Sequence, residues 1–286
     1  MKIIELTPEL KENFREFLPA EEDENVGRSS YCFLGAKDGR GKVKGILGWE
    51  YKSDAENEFY AVEIKALNTA DEKTGKELLS EYDERIAEHE LDNSFFEFEE
   101  VSQLNSKLFE GAGFEMSEEE GTFINVTVKE LSALKLGKGD MPEHIVSTGD
   151  IEDVKLRQGL LSSMFIGVRG LIEDIETIPL SWFERGISSC SLADGRVEGL
   201  FLVHKTAGGV LMPVLFMNSH PDGRYARQNL LLMLRRSAAA VTELYPPETP
   251  VRISFLRAQT RELVKKLFPG ITGNKVIRGV RKEKKE

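Results

Sequence analysis

The 286-residue chain carries one pattern twice. Residues 36–40 (AKDGR) lead into Val43, Lys44 and Gly45. Residues 193–196 (ADGR) lead into Val197, Glu198 and Gly199. In both, Asp-Gly lies between apolar runs. This predicts tight hairpins, because glycine accepts the positive φ that a short turn requires. Gly45 and Gly199 stand 154 positions apart, and each is followed by bulky apolar residues. A strand is expected next in each half, at 59–66 and at 210–217. The second is apolar throughout, as a strand buried on both faces would be. A polar loop then leads to an amphipathic helix. Leu78, Leu79, Tyr82 and Ile86 form one stripe in the first half, and Leu230, Leu231, Leu234, Ala238 and Val241 in the second. Short strands follow at 95–98 and 251–255, and helices at 102–110 and 258–267. Closing strands are expected at 123–128 for the first half and 275–280 for the second. The near-constant spacing reads as a duplication with small insertions.

Two domains are therefore expected, 1–136 and 137–286, joined where Gly, Lys and Pro cluster at 136–142. The fold class is α/β, each domain a twisted mixed sheet flanked by helices. Residues 25–30 read as a loop and 281–286 as a frayed tail. The two cysteines, Cys32 and Cys190, include no Cys-x-x-Cys pair. They support neither a zinc site of the finger type nor a disulfide framework, so no metal is expected and a reducing compartment is. The longest apolar run, 210–217, contains Pro213 and falls far short of the roughly 20 residues that span a bilayer. Acidic residues enter the first ten positions before any apolar signal region could form. A cytoplasmic protein without a membrane partner is the expectation. Charge is split: residues 1–140 hold 17 Lys and Arg against 33 Asp and Glu, and residues 141–286 hold 21 against 16. This excludes general nucleic-acid binding, which needs a dense basic face. It makes the second half the better host for an anionic ligand.

Residues 105–114 (NSKLFEGAGF) resemble the late helix-to-strand segment of the GNAT superfamily of acyl-CoA-dependent N-acyltransferases. In that family an Asn opens the helix, an aromatic residue (usually Tyr) follows, and a short turn ends in Gly-Phe. Asn105, Phe109, Gly113 and Phe114 occupy those places. By element order the resemblance extends over nearly the whole chain, which then is similar to a tandem GNAT pair. The resemblance implies acetyl-CoA or CoA as the bound cofactor-substrate. It would lie at the loop between the fourth strand and the next helix, a loop usually of the form Arg/Gln-x-x-Gly-x-Gly/Ala. Helix N-terminal amides and the dipole hold pyrophosphate there, and small residues let the backbone come close.

Both loops depart from that form. In the first, 70–79 (ADEKTGKELL), Gly75 matches the second small position, Lys73 stands at the first, and Ala70 replaces the Arg/Gln. Asp71 and Glu72 bring negative charge, so the loop reads equally as a well-capped helix start. Lys73, Thr74, Gly75, Lys76 and Asn105 form the secondary candidate set. In the second loop, 220–231, Tyr225 and Arg227 fall at the small positions, or Ala226 after a shift of one residue. Arg224 and Arg227 offer bidentate phosphate contacts. The plain alternative is a turn at 221–223 leading into a helix with a basic face. The resemblance assigns Phe216, Met217, Arg224, Tyr225, Ala226, Arg227, Gln228 and Asn229 to the cofactor.

The family's reaction is direct acyl transfer from a thioester to an amine. It needs a base for the ammonium proton and an acid for the departing thiolate. The usual acid, a Tyr, is replaced by Phe109 in the first half and by about Val264 in the second. Candidate bases are Glu63, His220 and Glu198, each of which also reads as an ordinary strand or loop residue. The acidic first half favours a cationic amine, small molecule or basic peptide, as acceptor. Two functions remain open: an N-acyltransferase, or a catalytically degenerate pair that senses acyl-CoA or serves as an interaction scaffold.

Overall fold

The computed structural model describes residues 1–54, 59–89, 91–136, 139–165, 178–255 and 258–283. The chain divides into two compact units: Met1–Gly121 together with Asn274–Glu286, and Thr122–Gly273.

The first unit is built on seven strands. β1 (Lys2–Glu5), β2 (Tyr31–Lys37), β3 (Val43–Asp54) and β4 (Phe59–Thr69) form an antiparallel run. α1 (Glu72–Ile86) leads to β5 (Asn93–Phe98), which lies parallel to β4, and α2 (Gln103–Gly111) leads to β6 (Glu115–Glu120). The expected stripe of α1 is buried, with Leu78, Tyr82 and Ile86 packed over Trp49, Ile64 and Phe96 of the sheet. α2 ends in a Schellman turn: Gly113, at φ +86°, donates to Glu110 and Phe114 donates to Phe109. The opposite face buries Phe14, Phe33 and Ile46 beneath the 3-10 segments Lys11–Phe14 and Ala20–Asn25.

The second unit holds β7 (Phe123–Thr127), α3 (Val128–Ser132), β8 (Ile145–Ser147), α4 (Asp153–Phe165), β9 (Ser189–Ala193), β10 (Arg196–Lys205), β11 (Leu211–Asn218), α5 (Gly223–Leu244), β12 (Pro250–Ser254) and α6 (Ala258–Leu267). Its sheet runs β7-β12-β11-β10-β9-β8. α4 covers one face, over Leu200, Leu202 and Leu215. α5 covers the other, over Phe201, Val203 and Leu211.

The closing strands are exchanged. β13 (Lys275–Lys282) lies between β5 and β6 in the first sheet, and β7 pairs with β12 in the second. Each strand expected to complete its own half completes the other. Period-2 alternation specifies which face of a strand is buried, and not which sheet receives it. Of the segment 136–142, read as a domain boundary, Leu136 and 139–142 lie within the second unit, and 137–138 are outside the described residues. The start of the expected tail is corrected as well: Arg281 pairs with Asp83 at 2.8 Å, donates to Ala112 O and stacks over Phe114, and 284–286 lie outside the described residues. β6 (EMSEEE) gave no apolar signal. It is the edge strand of its sheet, where charge blocks further pairing, and Lys275 and Arg278 of β13 face its Glu118 and Glu119.

Only one hairpin turns as its Asp-Gly predicts. Asp194 and Gly195 both have positive φ, +49° and +75°. In the first hairpin Asp38 instead accepts from Arg40 N and Lys42 N, and the positive φ falls on Gly41. The buried stripe of α5 is Asn229, Met233, Ser237 and Val241, while Leu231 is 51% exposed. The leucine pattern misplaced this face because two of its buried positions are polar. Ser237 shares a 2.9 Å hydrogen bond with Ser189, and Asn229 one of 3.0 Å with His144.

Candidate functional site

In each unit a parallel strand pair parts beside a helix N-terminus. β4 and β5 pair over Ala61, Val62 and Glu63, and β4 then continues to Thr69 past a bulge between Ile64 and Ala66. In the first unit the gap is furnished by the chain itself. Asn105 Nδ2 donates to Leu67 O at 2.8 Å. A Cβ on Gly75 would lie 2.3 Å from Leu108 Cδ1, so α1 and α2 are in direct contact at that glycine. Asp71 caps α1 by accepting from Thr74 N and Thr74 Oγ1. Thr74 is buried, and Lys73 and Lys76 pair along the helix with Glu77 and Glu72.

In the second unit, among the described residues, β11 and β12 pair at Leu211↔Val251, while β11 runs on to Asn218. The loop after it is held by local bonds. Asn218 Oδ1 accepts from His220 N, and Ser219 Oγ donates to Glu198 O. Asp222 caps α5, accepting from Arg224 N at 2.8 Å and Tyr225 N at 3.4 Å. The Tyr225 ring stacks near His144 at 6.1 Å and meets His220 at 4.4 Å. Asp222 N–H donates to His220 Nδ1, so a neutral His220 carries its proton on Nε2. Asn229 is 1% exposed, and its Nδ2 has no hydrogen-bond partner among the described residues. An amide so buried without a partner costs about 1–3 kcal/mol, which a ligand acceptor would recover.

The structure thus gathers His220, Tyr225 and Asn229, and adds His144, whose separation from Asn229 by 85 positions hid it from the sequence. Arg224, Arg227 and Gln228 are exposed on the first turns of α5, with Ala226 half-buried beside them. Phe216 packs edge-on against Phe201 on the α5 side, whereas Met217 belongs to the α4-side core. Glu198 sits at a bulge between Val197 and Gly199, with Oε2 buried and unpartnered.

Glu63 lies in the other unit. Burial alone raises a carboxyl's pKa, but Lys65 and Lys52, each 3.1 Å away, outweigh it and hold Glu63 at about 2. So weak a base is poorly matched to proton abstraction near neutral pH. Nearby Glu22 is shifted upward by burial. The thiols of Cys32 and Cys190 are pushed up to about 12 by burial, which leaves neither as a thiolate nucleophile. Phe109 is fully buried, stacked on Phe96 at 4.1 Å, and Val264 is buried in the second core. Among the described residues no group of three His, Cys, Asp or Glu could hold a metal ion. None of their helices is long and apolar enough to cross a membrane.

No protein-family model matches the sequence, and no curated protein matches it. Solved structures do. A tandem GNAT protein from the clavulanic acid biosynthesis pathway, in a structure without AcCoA, aligns over 100% of this chain and 99% of its own, with TM-score 0.61 and 14% identity. The chain has the tandem GNAT fold. A GCN5-related N-acetyltransferase from Kribbella flavida aligns over 98% of this chain and 70% of its own, with TM-score 0.52 and 14% identity. In tandem-GNAT terms, the two splayed strand pairs are the two positions at which the resemblance places an acyl-CoA, and their contents differ. In the first, Asn105 donates to the β4 carbonyl of Leu67. The second borders a buried amide without a partner.

Proposed function

We propose that the protein is an acyl-CoA-dependent N-acyltransferase that binds its thioester in the second unit and transfers the acyl group to a cationic primary amine. The observation that carries this reading is the contrast between the gaps. Beside β11, one pairing residue, the unpartnered Asn229 Nδ2 and two exposed arginines meet at the start of α5. Arg224 and Arg227 would neutralise the phosphates and compete with the Asp222 cap for them. The free strand edge after Leu211 would take the amides of the pantetheine arm, and Asn229 Nδ2 would donate to an acceptor on it. The thioester supplies the activated acyl group. With Nδ1 engaged by Asp222 N–H, a neutral His220 presents Nε2–H, which suits it to donate a hydrogen bond to the thioester carbonyl or the developing thiolate rather than to take or give up a proton. Glu198, with a free buried oxygen, is the better base in this unit. The acidic first unit would attract a cationic acceptor.

A second reading rests on a specific pair of observations. Both helix N-termini are already capped by aspartate, and the places of the family's Tyr hold buried Phe109 and Val264. A non-catalytic pair that binds acyl-CoA or a partner would look the same. Release of free thiol from acetyl-CoA in the presence of a panel of diamines and basic peptides separates the two. Amine-dependent release that falls with Glu198→Gln supports the transferase, and release no faster than buffer supports the non-catalytic pair.

A further inference from the structure

We propose that a cavity in the second unit, between α4 and the β9–β10 turn, binds a small organic anion carrying a phosphoryl or carboxylate group. The cavity has a volume of about 450 Å³. This falls within the roughly 300–1,000 Å³ of small-molecule sites. Lys155, Gln158 and Ser162 line it from α4, spaced so that they share one face of the helix. Arg196 lines it from the turn, and Gly159 and Val197 contribute close packing beneath. A Cβ on Gly159 would lie 2.7 Å from Val197 Cγ1, so the glycine sets how closely α4 approaches the hairpin.

The charge of this cavity is unbalanced. Arg196 makes no ion pair among the described residues, and Lys155 reaches only the exposed Glu152, at 3.9 Å. A pair so exposed and long contributes little. Asp153, the other acid at the start of α4, is engaged by Arg185. Two cations from separate elements therefore converge on one concave surface without a carboxylate between them. An oxyanion in the cavity would meet both cations, and the Arg196 fork suits two of its oxygens. Leu161 and Val197 supply apolar surface for the body of such a ligand. The site is distinct from the acyl-CoA position, because α4 and α5 cover opposite faces of the sheet.

Calorimetric titration of the full chain with phenyl phosphate and with benzoate tests this. Saturable binding of at least one probe is expected, weakened at least tenfold by Arg196→Glu and by Lys155→Glu. The response to acetyl-CoA should stay unchanged in both variants. Preference for phenyl phosphate identifies a phosphoryl ligand, and preference for benzoate a carboxylate. Absence of saturable binding overturns the proposal. So does binding that survives both reversals, or that disappears with Arg224→Ala and Arg227→Ala instead. Arg196→Gln and Lys155→Gln give the same test should a reversal disturb folding, which the melting temperature reports.

Discussion

The amide of Gly121 donates to the carbonyl of Asn274 at 2.7 Å. The chain leaves the first unit just after Gly121 and re-enters it at Asn274, so its two crossings lie side by side. The bond needs the glycine: a Cβ there would stand 2.8 Å from Val276 Cγ1 and 2.9 Å from Asn274 O. The exchange of β7 and β13 is anchored at this point. It makes each sheet depend on a strand from the opposite end of the sequence.

Deleting residues 274–286 therefore removes an interior strand of the first sheet and exposes Phe96. Loss of cooperative unfolding of that unit is expected, followed by circular dichroism in urea. Gly121→Val should cost about 1–3 kcal/mol through overpacking at the crossing. A truncated chain with an unchanged urea transition would show that the exchanged strand is dispensable.

Restoring the family's hydroxyl at Phe109 should not restore an acid. Phe109 is 0% exposed and stacked among Phe96, Phe98 and Phe114. Phe109→Tyr should lower stability by about 1–3 kcal/mol, the usual cost of burying an unbonded hydroxyl. Thiol release from acetyl-CoA should not rise. A gain in rate without loss of stability would place an active site in the first unit.

The carboxyl of Glu63 sits at about 2 in the fold against an ordinary value of 4.5. Its folded-state value is depressed, so its contribution is fully present above the ordinary value and is lost as pH falls toward 2. Glu63→Gln should flatten the acid limb of the stability curve in that window. At pH 7 it should cost about 1–3 kcal/mol, because Lys65 loses its ion-pair partner in a half-buried site while Lys52 keeps Glu50. Measurement is by urea denaturation at stepped pH. Identical acid limbs in both proteins would contradict the ion-pair assignment.

The element order and the α1 stripe were legible because local chemistry dictates them through apolar spacing and caps, while the turn at Gly113-Phe114 was legible through its resemblance to the family's segment. The strand exchange was not, since β7 (FINVT) and β13 (KVIRGVRK) are both short strands with apolar residues, and nothing local to either names the sheet that receives it. The buried face of α5 was hidden for another reason. Asn229 and Ser237 lie inside through hydrogen bonds to His144 and Ser189, partners far away in sequence. The second loop's residues were legible as a set, but their grouping around Tyr225 required His144 from before β8.

Asn229 should matter to ligand binding more than to folding. Its Oδ1 holds His144 while its Nδ2 is unpartnered. Asn229→Asp keeps the shape and the oxygen but removes the donor. Weaker acetyl-CoA binding with a melting temperature little changed is expected, and the opposite split would assign Asn229 to packing alone.

The central claim is that the second unit holds the acyl-CoA, and calorimetric titration of the full chain with acetyl-CoA addresses it directly. Wild-type protein should bind with one site. Arg224→Ala with Arg227→Ala should weaken that binding at least tenfold, while Asn105→Ala in the first unit leaves it unchanged. Binding that is lost with Asn105→Ala and survives the arginine changes, or no binding at all, would contradict the account.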